Sequence, residues 1–186
     1  MRVLLVAFIM ILISSKIVWS QDIFKQFEII SPPSCINNNG VNVQFQNLSS
    51  KLGKFSAGVA KRNKKSGPIV YRLNYEKSPK ALQIFIDLHE CAHHQTGDLE
   101  QRHPPQNSPK HMMKESIADC IAALRMRESG EILIIEALLE LKKAMSTLGF
   151  PLTSIKSREL NISNCFKKKI STKLYISEVL KKREFE

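Results

Sequence analysis

The sequence predicts a single α+β domain with a short mixed sheet, two helices that carry polar side chains at helical spacing, and further helices after them. Residues 68–75 alternate apolar and polar side chains, as strands do. Residues 81–92 and 112–124 place apolar side chains three and four positions apart, as buried helices do. No repeat or low-complexity linker divides the chain. We therefore expect one core, over about residues 36–166, and a basic helix or tail over about 167–186.

The amino-terminal half predicts short strands. Residues 21–34 look like an amphipathic lead-in that ends at two prolines. Residues 41–45 alternate like a strand, and residues 55–60 are expected to supply another. The basic stretch 61–67 is then a turn that leads into the strand at 68–75.

Helix boundary signals are clear in the carboxyl-terminal half. The first helix is expected to begin at Pro79 and stop near Gly97, and the second to begin at Pro109 and stop near Gly130. Apolar spacing indicates a third helix over 131–148 and a last amphipathic helix over 173–182. Residues 151–164 between them predict a mixed loop with at most a short helix before Cys165.

The first of these helices carries the pattern HExxH in His89, Glu90 and His93. Two histidines four residues apart lie about 40° apart around a helix axis, so both rings can reach one metal ion. The glutamate between them can take a proton from a metal-bound water. The pattern therefore predicts a metal site together with a hydrolytic reaction.

A catalytic zinc site usually has a third protein ligand. Glu115 is the best candidate, because Glu115 and Asp119 lie four residues apart on the second helix and Asp119 can then hydrogen-bond a histidine ligand. His103 and His111, expected to be exposed, are the fallback ligands. His94 lies about 100° from the ligand face and is expected at the surface or behind a ligand. Two more carboxylates remain candidates: Asp98 and Glu100.

HExxH on one helix followed by ExxxD on the next resembles the gluzincin metallopeptidases. The short spacing and the strings HECAHH and ESIADC are most similar to compact minigluzincin-type and exported bacterial peptidase-like domains. The resemblance covers about residues 68–127 and implies a small zincin-like fold. It also implies one Zn²⁺ per chain, with Glu90 as general base and Asp119 as a partner of a histidine ligand. Three residues would bind the zinc: His89, His93 and Glu115.

The same resemblance implies a role for the strand at 68–75. In gluzincin-type proteases a strand in this position forms the sheet edge above the metal and pairs with the extended substrate. The alternative is an edge strand without that role. One family feature is missing, since no Tyr or His that could stabilise an oxyanion stands at a position that the motif fixes.

The amino terminus predicts export. Arg2 precedes an apolar run at 3–13, and small residues near Ser20 offer a cleavage point, which together describe a signal peptide over residues 1–20. Residues 21–186 would then form the mature domain. The apolar run is shorter than the roughly 20 residues of a membrane span, so an uncleaved anchor is the minority interpretation.

Four cysteines lie after the predicted signal peptide: Cys35, Cys91, Cys120 and Cys165. An even number in an exported protein predicts two disulfides, with three possible pairings. The favoured pairing joins Cys91 to Cys120, which would lock the two ligand helices together, and Cys35 to Cys165. The alternative is that Cys91 and Cys120 are small buried apolar residues.

The chain is basic, with a net charge of +11. No nucleic-acid-binding module is recognisable, and aromatic residues do not interleave with the basic runs, which argues against a specific nucleic-acid partner. A basic surface could instead attract anionic cell-surface polymers. Nothing in the sequence sets an oligomeric state.

Three functions are consistent with these patterns. The leading hypothesis is a secreted or periplasmic zinc peptidase that acts on peptide or protein substrates. The main alternative is an inactive metallopeptidase-like zinc module that acts in envelope assembly or protein binding, although a purely structural site needs no base such as Glu90. The third is a basic surface-binding protein whose HExxH pattern is accidental.

Overall fold

The computed structural model describes residues 26–49, 56–63, 65–130 and 133–183, so the signal peptide predicted for residues 1–20 lies outside the described residues. No helix within the described ranges is long and apolar enough to cross a bilayer. The described residues contain three strands and five α-helices, in this order: β1 Gln44–Leu48, β2 Ala57–Asn63, β3 Gly67–Leu73, α1 Lys80–Gln95, α2 Pro109–Glu128, α3 Ile134–Thr147, α4 Leu152–Lys167 and α5 Thr172–Arg183. The predicted α+β fold with a small mixed sheet is confirmed.

The strand order is β1-β3-β2, with β1 parallel and β2 antiparallel to β3. The expectation that β3 forms the sheet edge beside the site is wrong. β3 lies in the centre, because Val70 and its neighbours are buried and both of its edges are hydrogen-bonded. β2 is the edge strand that contacts α1. It extends to Asn63, beyond the predicted end at residue 60.

α1 and α2 begin and end where their boundary signals predicted. Pro109 starts α2, and the Ser108 side chain caps it by accepting a hydrogen bond from the His111 backbone. Gly97 follows α1 with a φ of 69°, a left-handed conformation that glycine adopts without strain. Phe85 on α1 and Leu124 on α2 lie in one buried cluster with residues of α3 and α4. α1 is therefore a central core helix.

α4 corrects the loop predicted for residues 151–164, since Leu152–Lys167 is a 16-residue helix. Its sequence is rich in polar side chains, which made the apolar stripe weak. Ile155 and Ile162 nevertheless point into the core, at 3% and 0% exposure. Tertiary burial here outweighs local propensity.

The four cysteines form two disulfides, as predicted, but the expected pairing is wrong. Cys35 bonds to Cys91, and Cys120 bonds to Cys165. Cys91 lies on the side of α1 that packs against the sheet, where it shares a cluster with Cys35. Cys120 lies on the side of α2 that packs against α4. Two disulfides suggest an oxidising compartment.

A buried ion pair joins the sheet to α1. Arg72, 2% exposed, donates to both carboxylate oxygens of Asp87 at 3.0 Å. It also donates to Asn47 on β1 and to the Ile30 carbonyl, while the Tyr75 hydroxyl donates to Asp87 at 2.9 Å. Burial raises the pKa of Asp87 to about 6, against the opposing attraction of Arg72. The carboxylate therefore depends on this arginine to remain charged inside the fold.

Replacing Arg72 by Met should lower the free energy of unfolding by about 3–5 kcal/mol, because Asp87 is then buried without its partner. Arg72 lowers the pKa of Asp87, so its removal raises that pKa further. The loss should therefore be larger at pH 8 than at pH 5, because at pH 8 the folded variant must either ionise the buried carboxyl or keep a proton that the unfolded chain has released. Urea denaturation at both pH values measures the effect. The control Lys143→Met removes an exposed ion pair with Glu140 and should cost below about 0.5 kcal/mol. Equal losses in the two variants would contradict the importance of the buried pair.

Peptide mapping of the unreduced protein should recover Cys35 linked to Cys91 and Cys120 linked to Cys165. Each pair then separates on reduction, as seen by mass spectrometry. Recovery of Cys91 linked to Cys120 would show that the ligand helices are joined covalently and that the arrangement described above is wrong.

Candidate metal centre

Two histidines of α1 form the first wall of the site. Helical spacing puts His89 and His93 on one face, and their Nε2 atoms lie 3.2 Å apart. Their side chains are only 7% and 12% exposed. Two imidazole nitrogens at this distance in a buried position need either a shared proton or a shared metal ion.

α2 completes the set with Glu115. Its Oε2 lies 3.3 Å from Nε2 of His89, and its Oε1 lies 3.5 Å from Nε2 of His93. Nitrogen and oxygen ligands at about 2.0–2.1 Å from a tetrahedral ion stand about 3.3 Å from one another. The three donor atoms therefore have the spacing and chemistry to hold one metal ion, as their grouping indicates. The structure brings together the three residues that the sequence singled out.

Asp119 supports His89 from behind. Its Oδ1 accepts from Nδ1 of His89 at 2.8 Å, so that Nε2 is left free to face the site. Arg158 on α4 donates to both oxygens of Asp119 at 2.7 Å and compensates the burial of this carboxylate. Asp119 has the position that the sequence suggested. Arg158 was not found from the sequence, because it lies 39 residues away in a segment predicted to be mainly loop.

Asp98 supports His93 in the same manner. Its Oδ2 accepts from Nδ1 of His93 at 2.9 Å and from the Thr96 hydroxyl at 3.0 Å. Its Oδ1 lies 3.5 Å from the Lys114 ammonium and 2.7 Å from the Arg183 guanidinium. Asp98 was a candidate ligand, but it lies behind the ligand and not among the donors. Gly97, which ends α1, was the signal in the sequence that could have predicted this position, since the turn at Gly97 folds Asp98 back towards His93.

The ligands are strongly coupled to one another. Burial alone lowers the pKa of His89, but hydrogen bonds to Asp119 and Glu115 outweigh it and raise that pKa to about 10. Burial raises the pKa of Glu115, but the hydrogen bond with His89 and the nearby positive charges lower it to about 2. A metal ion must displace the proton that His89 and Glu115 share. Its binding is therefore expected to release a proton and to weaken as the pH falls.

Glu90 is held by the edge strand. Its Oε2 accepts a hydrogen bond from the backbone of Ala60 at 2.7 Å. Gly58 makes this approach possible, because a Cβ atom there would lie 2.4 Å from Cγ of Glu90. Neither β2 residue could be predicted from local patterns, since the contact depends on which strand lies at the sheet edge.

A cavity of about 290 Å³ contains the site. Glu90 and the His/His/Glu group line it together with β2, His103 and His111. His111 Nε2 lies 3.8 Å from Glu115 Oε1, so the histidine is near the donor group and outside it. A second, mostly apolar cavity of about 220 Å³ also borders His89, Glu90 and Glu115 and is lined by side chains that include Leu141 and Met145.

The other two candidate ligands lie elsewhere. His94, 4% exposed, is buried against β3, where its Nε2 lies 3.2 Å from the carbonyl oxygen of Ile69. The expectation of a position at the surface or behind a ligand is therefore wrong for His94. Glu100 pairs with Arg62 at the surface. Neither residue contributes a donor atom to the group formed by His89, His93 and Glu115.

Comparison of the chain with protein-family models, with curated proteins and with solved structures finds no match. What the structure itself shows is a His/His/Glu group that could hold a metal ion.

Replacing Asp98 by Asn should lower the affinity for Zn²⁺ by about 10–100-fold, because the residue that orients His93 loses its charge. Competition with a fluorescent zinc chelator measures the affinity. The matched control Glu100→Gln changes a nearby carboxylate that pairs only with Arg62 among the described residues, and its affinity should equal that of the wild type. Wild-type affinity in Asp98→Asn would show that His93 needs no such partner.

Proposed function

We propose that the protein is an exported zinc-dependent peptidase of the gluzincin type, with His89, His93 and Glu115 as zinc ligands and Glu90 as general base. The observation that carries the proposal is the position of Glu90, which lines the cavity of the three metal-binding side chains while the backbone of β2 holds one of its oxygens. A site with only a structural role has no use for a base in that place.

The donor set supports zinc. Two imidazole nitrogens and one carboxylate oxygen form a ligand set of catalytic zinc sites, in which a fourth position remains for water or substrate. Both histidines have a carboxylate on their other ring nitrogen, as zinc-binding histidines commonly do. When bound there, zinc supplies a Lewis acid that polarises a carbonyl and acidifies water.

The residues of this chain supply the rest of the chemistry. Glu90 takes the proton of the attacking water and passes it to the leaving amine. Asp98 also lines the cavity and is not a ligand, but it is engaged by His93 and Arg183, which leaves Glu90 as the base. The hydrogen bond from Ala60 holds the Glu90 side chain in one orientation during this transfer. Asp119 and Asp98 keep the two histidine rings from turning.

The edge position of β2 is an argument that the substrate is a peptide. Gly58, Val59 and Ala60 of β2 line the cavity, and the outer edge of β2 carries backbone groups that β3 does not use. An extended chain can add to such an edge through main-chain hydrogen bonds. The adjoining apolar cavity offers room for a side chain of that chain. Pairing with the extended substrate, which the resemblance implied for the strand before α1, is therefore proposed for β2.

The compartment and the charge fit this proposal. The two disulfides favour export, and the signal peptide over residues 1–20 is part of the proposal. The full chain has a net charge of +11, of which Arg2 and Lys16 of the proposed signal peptide supply two; the basic remainder favours contact with anionic cell-surface polymers, close to which an exported peptidase would work.

The variant Glu90→Gln should keep wild-type zinc content and lose at least about 100-fold in hydrolysis of fluorescein-labelled casein, because the amide cannot accept the proton. The comparison variant Glu115→Ala should lose zinc and activity together. Metal analysis and fluorescence measure the two quantities. Full activity in Glu90→Gln would refute the assigned base. If the zinc-loaded wild type binds metal and cleaves no protein or peptide, the inactive zinc-binding module becomes the better description.

A further inference from the structure

The turn between α3 and α4 exposes apolar side chains where polar residues are usual. Every residue from 146 to 153 is exposed to solvent, and we call this segment the apolar tip. Leu148, Phe150 and Leu152 are 60%, 48% and 59% exposed. Residues 144–155 include no charged side chain, although charged residues make up 24% of the chain. Single apolar residues are normal on a surface, but several together mark a surface that binds a partner.

The core of the fold does not need the side chains of the apolar tip. Met145 before the tip and Ile155 after it are 7% and 3% exposed, so each helix is already anchored at this end. The tip extends beyond these two anchors into solvent. A partner that covers its apolar side chains would therefore gain free energy by removing them from water.

The backbone of the apolar tip is suited to an environment with little water. The N–H groups of residues 148–150 donate to carbonyl oxygens in the last turn of α3 at 3.0–3.1 Å. Gly149, with φ of 79°, allows this tight return of the chain, and Pro151 has no N–H group. Unpaired N–H groups are costly in an apolar medium. The centre of the tip can thus enter the headgroup region of a bilayer with its N–H groups already paired.

Lysines lie on both sides of the apolar tip. The segment 142–156 begins with two lysines, ends with a third, and contains no acidic residue. All three lysines are exposed. Two of them pair with Glu140 and Glu159, but these pairs are 3.9 Å apart at the surface and cost little to break. An apolar centre with lysines at its rim complements an anionic bilayer, where both kinds of side chain find a partner.

The apolar tip also lies beside the candidate metal site. Phe150 lines two cavities of about 280 and 220 Å³, and Glu115 borders both of them. Leu148 lines the smaller cavity as well. A surface that binds the tip would therefore lie next to the openings that lead to the His/His/Glu group.

We propose that the apolar tip binds the surface of an anionic phospholipid bilayer. Leu148, Phe150 and Leu152 enter the headgroup region, and the lysines at either end of the segment contact lipid phosphates. This binding needs neither zinc nor hydrolysis, so it is independent of the proposed function.

Tryptophan fluorescence tests the contact directly. All described residues follow residue 20, so the protein without residues 1–20 retains the fold described above. It contains no tryptophan, because the single tryptophan of the chain is Trp19. Phe150→Trp places a reporter in the tip, and Leu160→Trp, at a position on α4 that is 61% exposed, is the matched control. With vesicles of phosphatidylcholine and phosphatidylglycerol, we expect a blue shift and quenching by brominated acyl chains in the tip variant alone.

Sedimentation with the same vesicles measures affinity. The double variant Leu148→Ser/Phe150→Ser should bind at least about tenfold more weakly, because less apolar area enters the interface. Leu160→Ser should stay within about twofold of the wild type, since its side chain lies outside the contact. Lys156→Ser should weaken binding to the anionic vesicles about fivefold and leave binding to pure phosphatidylcholine unchanged. All these positions are exposed, so melting temperatures should match that of the wild type.

Several outcomes would overturn the inference. Absence of vesicle binding, or a reporter at position 150 without shift and quenching, would exclude insertion of the tip. Equal losses in the double variant and in Leu160→Ser would show adhesion by apolar surface in general. Weakened binding in Lys156→Ser but not in the double variant would show attraction by charge alone, as to an anionic polymer. Wild-type vesicle binding by a double variant that no longer binds peptide would make the tip part of a peptide-binding cleft.

Discussion

Close packing of α1 against α2 is the constraint on which the candidate metal site depends. Ala92 on α1 and Ala118 on α2 are buried in one cluster with Ile121. Small side chains at a helix contact allow the two axes to approach. Three residues before each alanine stand His89 and Glu115, and the same approach brings their donor atoms to 3.3 Å. A larger side chain in place of Ala92 or Ala118 would move His89 and Glu115 apart, even though both residues would still be present.

The polar layer behind the ligands depends on the carboxyl-terminal helices. Asp119 and Asp98 are buried carboxylates, and each would be costly without a cationic partner. α4 supplies Arg158 to the first, and the last residue of α5, Arg183, reaches the second. The segment after residue 127, which the resemblance to gluzincins does not cover, therefore helps to orient both histidines. The carboxyl-terminal helix supports the site and is more than a basic tail.

The disulfides join other elements than the pairing favoured from the sequence would have joined. One bond ties α1 to the segment before β1, and the other ties α2 to α4. Neither bond joins α1 to α2, so the distance between the ligand helices is set by side-chain packing and by the ligands themselves. Cross-links of this kind limit the freedom of the unfolded chain and hold the supporting elements in place.

The sequence by itself determined the α+β class, the bounds of α1 and α2, and the group His89, His93 and Glu115, because helix periodicity and helix ends are local properties. Only the tertiary structure decided the features that join distant segments. These are the cysteine pairing, the edge position of β2, the helix at 152–167, and the partners Arg158 and Arg183. Local patterns show which face of a helix is buried, but they do not show which remote element covers it, since that choice is made by packing across the whole chain.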